Sequence, residues 1–320
     1  MKKKNGISPA DLSHVKTYPL KERKNKVKVS DFASPASADC SIHDWLMGLP
    51  KILAGENFRQ LVHAIAIAHI NSKSVIVMLG GHVIKCGLSP VLISMMEHGI
   101  ITGIAMNGAA SIHDFEIAIT GETSEDVADN IEKGIFGMWE ETGSLINQAI
   151  KHGQIIDIGM GQALGEKLIQ LQAPHNNVSL LASAIRLNLP ATVHVAVGTD
   201  IIHQHPSADG SAIGQTSFTD FRIFVSEIAE LDGGVLLNFG SAVIMPEVFL
   251  KALSIARNLG HNVVNFTTAN FDMFQHYRPS ENIVKRPTSM GGKGYSITGH
   301  HEIMIPLLAC AVMDEIDKQM

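Results

Sequence analysis

"SVIVMLGGHVIKCGLSPVLISMMEHGIITGIAMNGAA", residues 74–110, carries the pattern that decides the fold. An apolar, branched run closes on Gly80 and Gly81. A helix-length stretch follows and stops at His98 and Gly99, where a helix cap belongs. A second apolar run then ends on Asn107 and Gly108. Strand, glycine turn, helix and strand in this order are the repeating unit of a parallel α/β sheet.

The same grammar returns downstream, from "HGQIIDIGMGQALGEKLIQ" through the helical "VSLLASAIRLNL" to the strand-like "ATVHVAVG". "DFRIFVSEIAEL" reads as a helix, "GGVLLNFG" as a strand, "PEVFLKALSIARNLG" as a helix with Pro246 near its start, and "HNVVNFTTANFD" as a strand and its exit. Residues 279–299, rich in Gly, Pro and Lys/Arg, read as a loop, and "EIMIPLLACAVMDEI" as a closing helix. Upstream, "SIHDWLMGLP" predicts a short helix capped by Ser41, and "NFRQLVHAIAIAHI" a longer one. The expectation is an N-terminal extension over residues 1–57 and one doubly wound, mostly parallel, Rossmann-like α/β domain over residues 58–320.

Composition narrows the function. The 320 residues are 45% hydrophobic and 18% charged, enough to bury a large core. Thirty-one acidic against 25 basic residues give a net charge of -6, which offers no field for nucleic acid or anionic lipid. The basic head, "MKKKNGISPADLSHVKTYPLKERKNKVKV", lacks the apolar core of a secretory signal and reads as a solvated extension. Cys40, Cys86 and Cys310 are too scattered for a disulfide framework or a cysteine-based metal site, and no apolar run is long enough to span a membrane. A cytoplasmic protein is expected.

In doubly wound sheets ligands sit outside the carboxyl ends of the strands, so the polar residues there are the candidates. Gly80 and Gly81 can present backbone amides to a phosphate or simply make a tight turn; neither GxGxxG nor a P-loop is present. Asn107, Gly108 and Ser111 follow the next strand, and Thr267, Thr268 and Asp272 belong to a later one. Asp200, at the end of "TVHVAVGTD", delivers a carboxylate that either binds a substrate amine or caps the following turn. In "HQHPSADGSAIGQTSFTD", residues 203–220, His203, His205 and Asp209 are candidate substrate contacts. They would form a metal site only if His300 or His301 converged on them. Lys293, between glycines in "GGKG", has the chemistry to form an imine if its amine is deprotonated, or else lies in a solvated loop.

In order along the chain, the 74–110 stretch, "GTD", "GGVLLNFGSAVI", "NFTTANFD", "RPSE", "GGK" and "HHEIMIPLLACAV" resemble the deoxyhypusine synthase family across residues 58–316. The resemblance implies an NAD-dependent transferase, commonly a homotetramer, that carries the aminobutyl group of a polyamine on a lysine as an imine. It implies roles for Asp200 in binding substrate, for Lys293 as the imine-forming lysine, for Glu281 as the glutamate of the "RPSE" stretch, and for Asp272 beside the cofactor. The departures are specific. A glycine triplet and a histidine of the family are replaced by Gly240-Ser241-Ala242 and the Pro246-Glu247 pair, which leaves Glu247 as a candidate substrate contact. A tryptophan two positions before the family lysine is Gly291 here. Two other readings stay open: a non-catalytic or regulatory NAD-binding homologue, and a metal-dependent hydrolase.

Overall fold

The computed structural model describes residues 7–319; the first six residues of the basic head lie outside it. Six strands form one sheet: β1 (Val75–Leu79), β2 (Gly103–Asn107), β3 (Ala191–His194), β4 (Val235–Phe239), β5 (Thr267–Asp272) and β6 (Lys293–Thr298). All neighbouring pairs are parallel, in the spatial order β3-β2-β1-β4-β5-β6. This is the doubly wound order of dinucleotide-binding sheets, and the direction of winding reverses between β1 and β4.

The first helices in the chain are α1 (Ile42–Gly48), α2 (Leu53–Ile70), α3 (Gly81–Lys85), α4 (Ser89–Glu97), α5 (Gly108–Thr120) and α6 (Val127–Ile131). They are followed by α7 (Glu140–Ile155), α8 (Met160–Gln170), α9 (Leu180–Leu187), α10 (Gly210–Ala229), α11 (Ile244–Asn258), α12 (Tyr277–Pro279) and α13 (His301–Gln319). β1 explains the layering. All five of its residues are buried: Val75, Val77 and Leu79 pack into a core with α2, α4, α5 and α13, while Ile76 and Met78 pack against α10 and α11. A strand covered on both faces reads as an unbroken apolar run, which is why residues 74–79 were legible as a strand. Residues 7–30 are exposed throughout. Ser41 caps α1 as expected, accepting the Asp44 N–H at 3.1 Å. Among the described residues no helix is long and apolar enough to cross a membrane.

Two expectations are corrected. Residues 279–299 are not a plain loop: they hold a π-helical turn, Ser280–Lys285, and the edge strand β6. β6 buries only Tyr295 and Ile297 and leaves Lys293, Ser296 and Thr298 exposed, so its apolar signal is weak. The run Gln154–Ile158 is no strand either, since α7 continues to Ile155 and α8 begins at Met160.

Two buried aspartates fasten the helices between β2 and β3 to the sheet. Asp114 of α5 accepts the N–H groups of Leu180 at 2.8 Å and Leu181 at 3.1 Å and the Ser179 hydroxyl at 2.6 Å, closing the first turn of α9 from outside. Asp220 of α10 accepts Gly161 N–H at the start of α8 and Val193 N–H in β3, both at 2.8 Å. A Cβ at Gly159 would lie 1.8 Å from Asp220 Oδ1, so the carboxyl takes the place a side chain would fill. Burial pushes Asp220 up to about 8 and Asp114 up to about 6 against these hydrogen bonds. Burial and the neighbouring Asp220 carry Glu227 well above its ordinary range too.

A carboxyl raised on folding stabilises the native state at low pH, and that contribution is lost as pH climbs from the unfolded value towards the folded one. Stability should therefore fall between about pH 4 and pH 8, and Asp220→Asn should flatten the decline in urea titrations across that range. Asp220→Ala, which strands two buried N–H donors, should cost about 3 kcal/mol near pH 4, where the carboxyl is protonated, and less as pH rises.

Candidate functional site

The carboxyl ends of the strands carry two adjoining features, a crevice at the winding reversal and a cavity beside it. At the crevice the ends of β1 and β4 abut. Gly80 N–H donates to Phe239 O at 3.0 Å, and a Cβ on Gly80 would stand 2.6 Å from Gly240 O. Gly240 has φ +66°, and a Cβ there would meet His301 Nε2 at 2.6 Å. His301, the first residue of α13, is buried and its Nδ1 has no partner. Burial lowers its pKa, with Asp272 at the end of β5 opposing that shift. The His82 ring lies 6.1 Å from the His301 ring, and His82 Nε2 is 3.3 Å from Cys86 Sγ. Burial and then Glu302 push the Cys86 thiol up, which keeps it protonated.

The cavity, 870 Å³ in volume, lies between α5, α6, the start of α7 and the turn at Thr199–Ile201. Asn107 shapes its edge by capping α5: its Oδ1 accepts Ala110 N–H at 2.9 Å. Gly108 opens the helix, and a Cβ there would lie 2.0 Å from Asp200 Oδ2. Two candidates far apart in sequence thus depend on each other in space. Asp200 is buried, Oδ2 has no partner, and burial raises its pKa to about 6 against a hydrogen bond from Thr199.

Acidic groups dominate the wall: Glu116, Glu122, Glu125, Glu141 and Asp200 line it against a single lysine, Lys85, while Trp139 and Phe136 add aromatic surface. Glu116 is held by two hydroxyls, Thr123 and Thr142, the latter at 2.9 Å. Glu125 is held by Asn130 Nδ2 at 2.7 Å and Gly137 N–H at 2.8 Å. His113, on the same wall, is kept neutral by burial and then by Lys85.

The remaining candidates lie elsewhere. Lys293 opens β6 opposite Thr267, and Thr267 opens β5 opposite Val235, so all three mark the amino end of the sheet. Strands of this length separate the two ends by roughly 17 Å. Lys293, Thr267 and Thr268 therefore do not meet Asp200 within one chain, because the parallel strands run away from them. Thr268 Oγ1 instead donates to Ile283 O at 2.7 Å. Glu247 ties α11 to the π-helical turn, accepting Asn282 Nδ2 at 3.0 Å and pairing with Arg278 and Lys251, while Glu281 stays within that turn, accepting Lys285 Nζ at 2.7 Å. His205 turns to Ser207 Oγ at 2.7 Å, and Asp209 caps α10 by accepting Ser211 N–H at 2.9 Å. Among the described residues no three His, Cys, Asp or Glu side chains converge as metal ligands, so the arrangement required by a metal hydrolase is not formed.

Sequence reading missed Glu116, Phe136, Trp139 and Lys85. Only the rarity of tryptophan, two in the chain, pointed at Trp139.

No family model matches this chain, and no curated protein matches it. Solved structures do. A conserved protein assigned as LOR/SDH from Methanococcus maripaludis S2 is 15% identical with a TM-score of 0.51, over 84% of this chain and 71% of that one. A protein assigned as a deoxyhypusine synthase from Entamoeba histolytica is 11% identical with a TM-score of 0.51, over 86% and 94%. AgrE in its ternary complex with ornithine and NAD+ is 13% identical with a TM-score of 0.50, over 82% of this chain and 33% of AgrE, so the chain spans about a third of that protein. The likeness is one of fold, the doubly wound parallel sheet of Rossmann type.

The contact between Gly108 and Asp200 gives a direct test. Gly108→Ala should destabilise the protein by about 2 kcal/mol by driving the carboxyl off the helix start, and adding Asp200→Ala should recover part of that loss. Additive effects in a double-mutant cycle of melting temperatures would contradict the contact.

Proposed function

We propose that the protein is an NAD-dependent enzyme acting on a small, positively charged amine held in the 870 Å³ cavity. The composition of the cavity wall carries this reading: five acidic residues, one lysine and the faces of Trp139 and Phe136. A cationic guest gains from a wall of carboxylates and from an indole face. An anionic guest would lose on both counts.

The crevice between β1 and β4 fits the cofactor. Dinucleotides bind at the winding reversal of such sheets, where Ser241, Asp272 and the unpartnered His301 Nδ1 stand around the ends of β1 and β4. The AgrE complex, a fold relative, pairs NAD+ with the amine-bearing ornithine, which supports the same pairing here. When bound, a nicotinamide supplies the hydride acceptor. The chain's own residues do the rest: Glu116 and Glu125 orient the cationic end, Trp139 excludes water, and Asp200, largely ionised at neutral pH, receives a proton at Oδ2. If transfer runs through a lysine, as the family resemblance implies, Lys85 faces the cavity and Lys293 does not.

Calorimetry with NAD+, and Trp139 fluorescence during spermidine titration, test the reading. NAD+ should bind, and Glu116→Gln should weaken spermidine about tenfold. Borohydride trapping of a spermidine adduct should survive Lys293→Ala and disappear in Lys85→Ala. Absence of NAD+ binding at millimolar concentration would sink the enzyme assignment.

A further inference from the structure

The turn Ile201–His203 sets His203 behind Asp200, which lines the cavity, with the Asp200 and His203 side chains only 5% and 6% exposed. His203 Nδ1 accepts two backbone N–H groups, from Gly198 at 3.1 Å and from Asp200 at 3.3 Å. A ring nitrogen that accepts carries a lone pair, so in the neutral imidazole the proton sits on Nε2. Burial keeps the ring neutral.

Nε2–H is therefore a donor, and it stands 3.9 Å from Asp200 Oδ2, an acceptor. That gap is too long for a direct hydrogen bond. Neither atom has any other partner. A buried donor and a buried acceptor left open side by side are costly unless something joins them. One atom about 2.8 Å from both would do so, provided that it accepts one hydrogen bond and donates another. A hydroxyl oxygen meets that condition. An ammonium nitrogen does not, because it has no lone pair for Nε2–H and would leave that donor facing a positive charge.

We propose that Asp200 and His203 form a hydroxyl subsite, and that the molecule taken by the cavity is an amino alcohol. Its hydroxyl bridges Asp200 Oδ2 and His203 Nε2, and its ammonium lies among Glu116, Glu125 and Trp139. This rests on the reading of the cavity as an amine site and names the other end of the guest.

Calorimetry on the full chain with three probes tests it: 4-amino-1-butanol, n-pentylamine, which replaces the hydroxyl by a methyl at the same length and charge, and 1,4-diaminobutane. The parent should bind 4-amino-1-butanol about tenfold more tightly than n-pentylamine. His203→Asn keeps an acceptor in place of Nδ1 for the turn but removes the Nε2 donor. It should erase that preference without weakening 1,4-diaminobutane, while thermal melting confirms the fold. Asp200→Asn should also lower the preference.

Equal affinity of the parent for 4-amino-1-butanol and n-pentylamine would overturn the proposal, even if His203→Asn does not fold, and would leave a buried water as the pair's partner. So would absence of binding by all three probes at millimolar concentration. NAD+ binding measured alongside separates the two claims: cofactor bound with no hydroxyl preference removes only the subsite, and preference without cofactor removes only the dehydrogenase reading.

Discussion

β1 is the member on which the molecule turns. It joins the two halves of the sheet, hydrogen-bonded to β2 on one side and β4 on the other. The ends of β1 and β4 come so close that Gly80 has no room for a side chain, and His301 takes the room at Gly240. The chain diverges from that point in both directions, and divergence of the loops above two adjacent parallel strands is what opens a crevice in this class of fold. The helices that follow each strand can leave to opposite faces only because the strand between them is buried on both.

The buried acids follow a shared rule. Asp200 lies against Gly108, Asp220 against Gly159 and Glu227 against Gly103, each with a carboxyl oxygen 2.0 Å or less from the place of a missing Cβ. Glycine here makes room for a polar group that serves another segment. Asp220 uses the room to bind α8 and β3 together, whereas Asp200 keeps an oxygen unpaired. The same local device gives structure in one place and leaves an open hydrogen-bonding position in another.

The fold was legible wherever apolar periodicity and glycine turns coincide, as in residues 74–110, and Asp200 was legible because an apolar strand runs into it. What stayed hidden depends on direction or on distant contact. Thr267 was read as a rim residue because the sequence does not say which end of a strand a polar residue occupies; parallel pairing places it, with Lys293, at the amino end. β6 passed for a loop because an edge strand needs only one buried face. Asp114 and Asp220 look like ordinary helix-surface residues until the helices they cap are packed against them. Trp139 and Glu116 meet only through a fold in the chain that no local spacing announces.

The chain takes a long detour between β2 and β3, through α5, α6, α7, α8 and α9, where a single helix would complete the crossover. The cavity is built almost wholly within the first part of that detour, while the crevice belongs to strand ends elsewhere in the sheet. The cavity and the strand ends at the winding reversal are therefore encoded largely in separate stretches of sequence. The segment from Gly121 to Trp139 supplies part of the cavity wall but no strand, so its side chains can change while the sheet beneath it keeps its register.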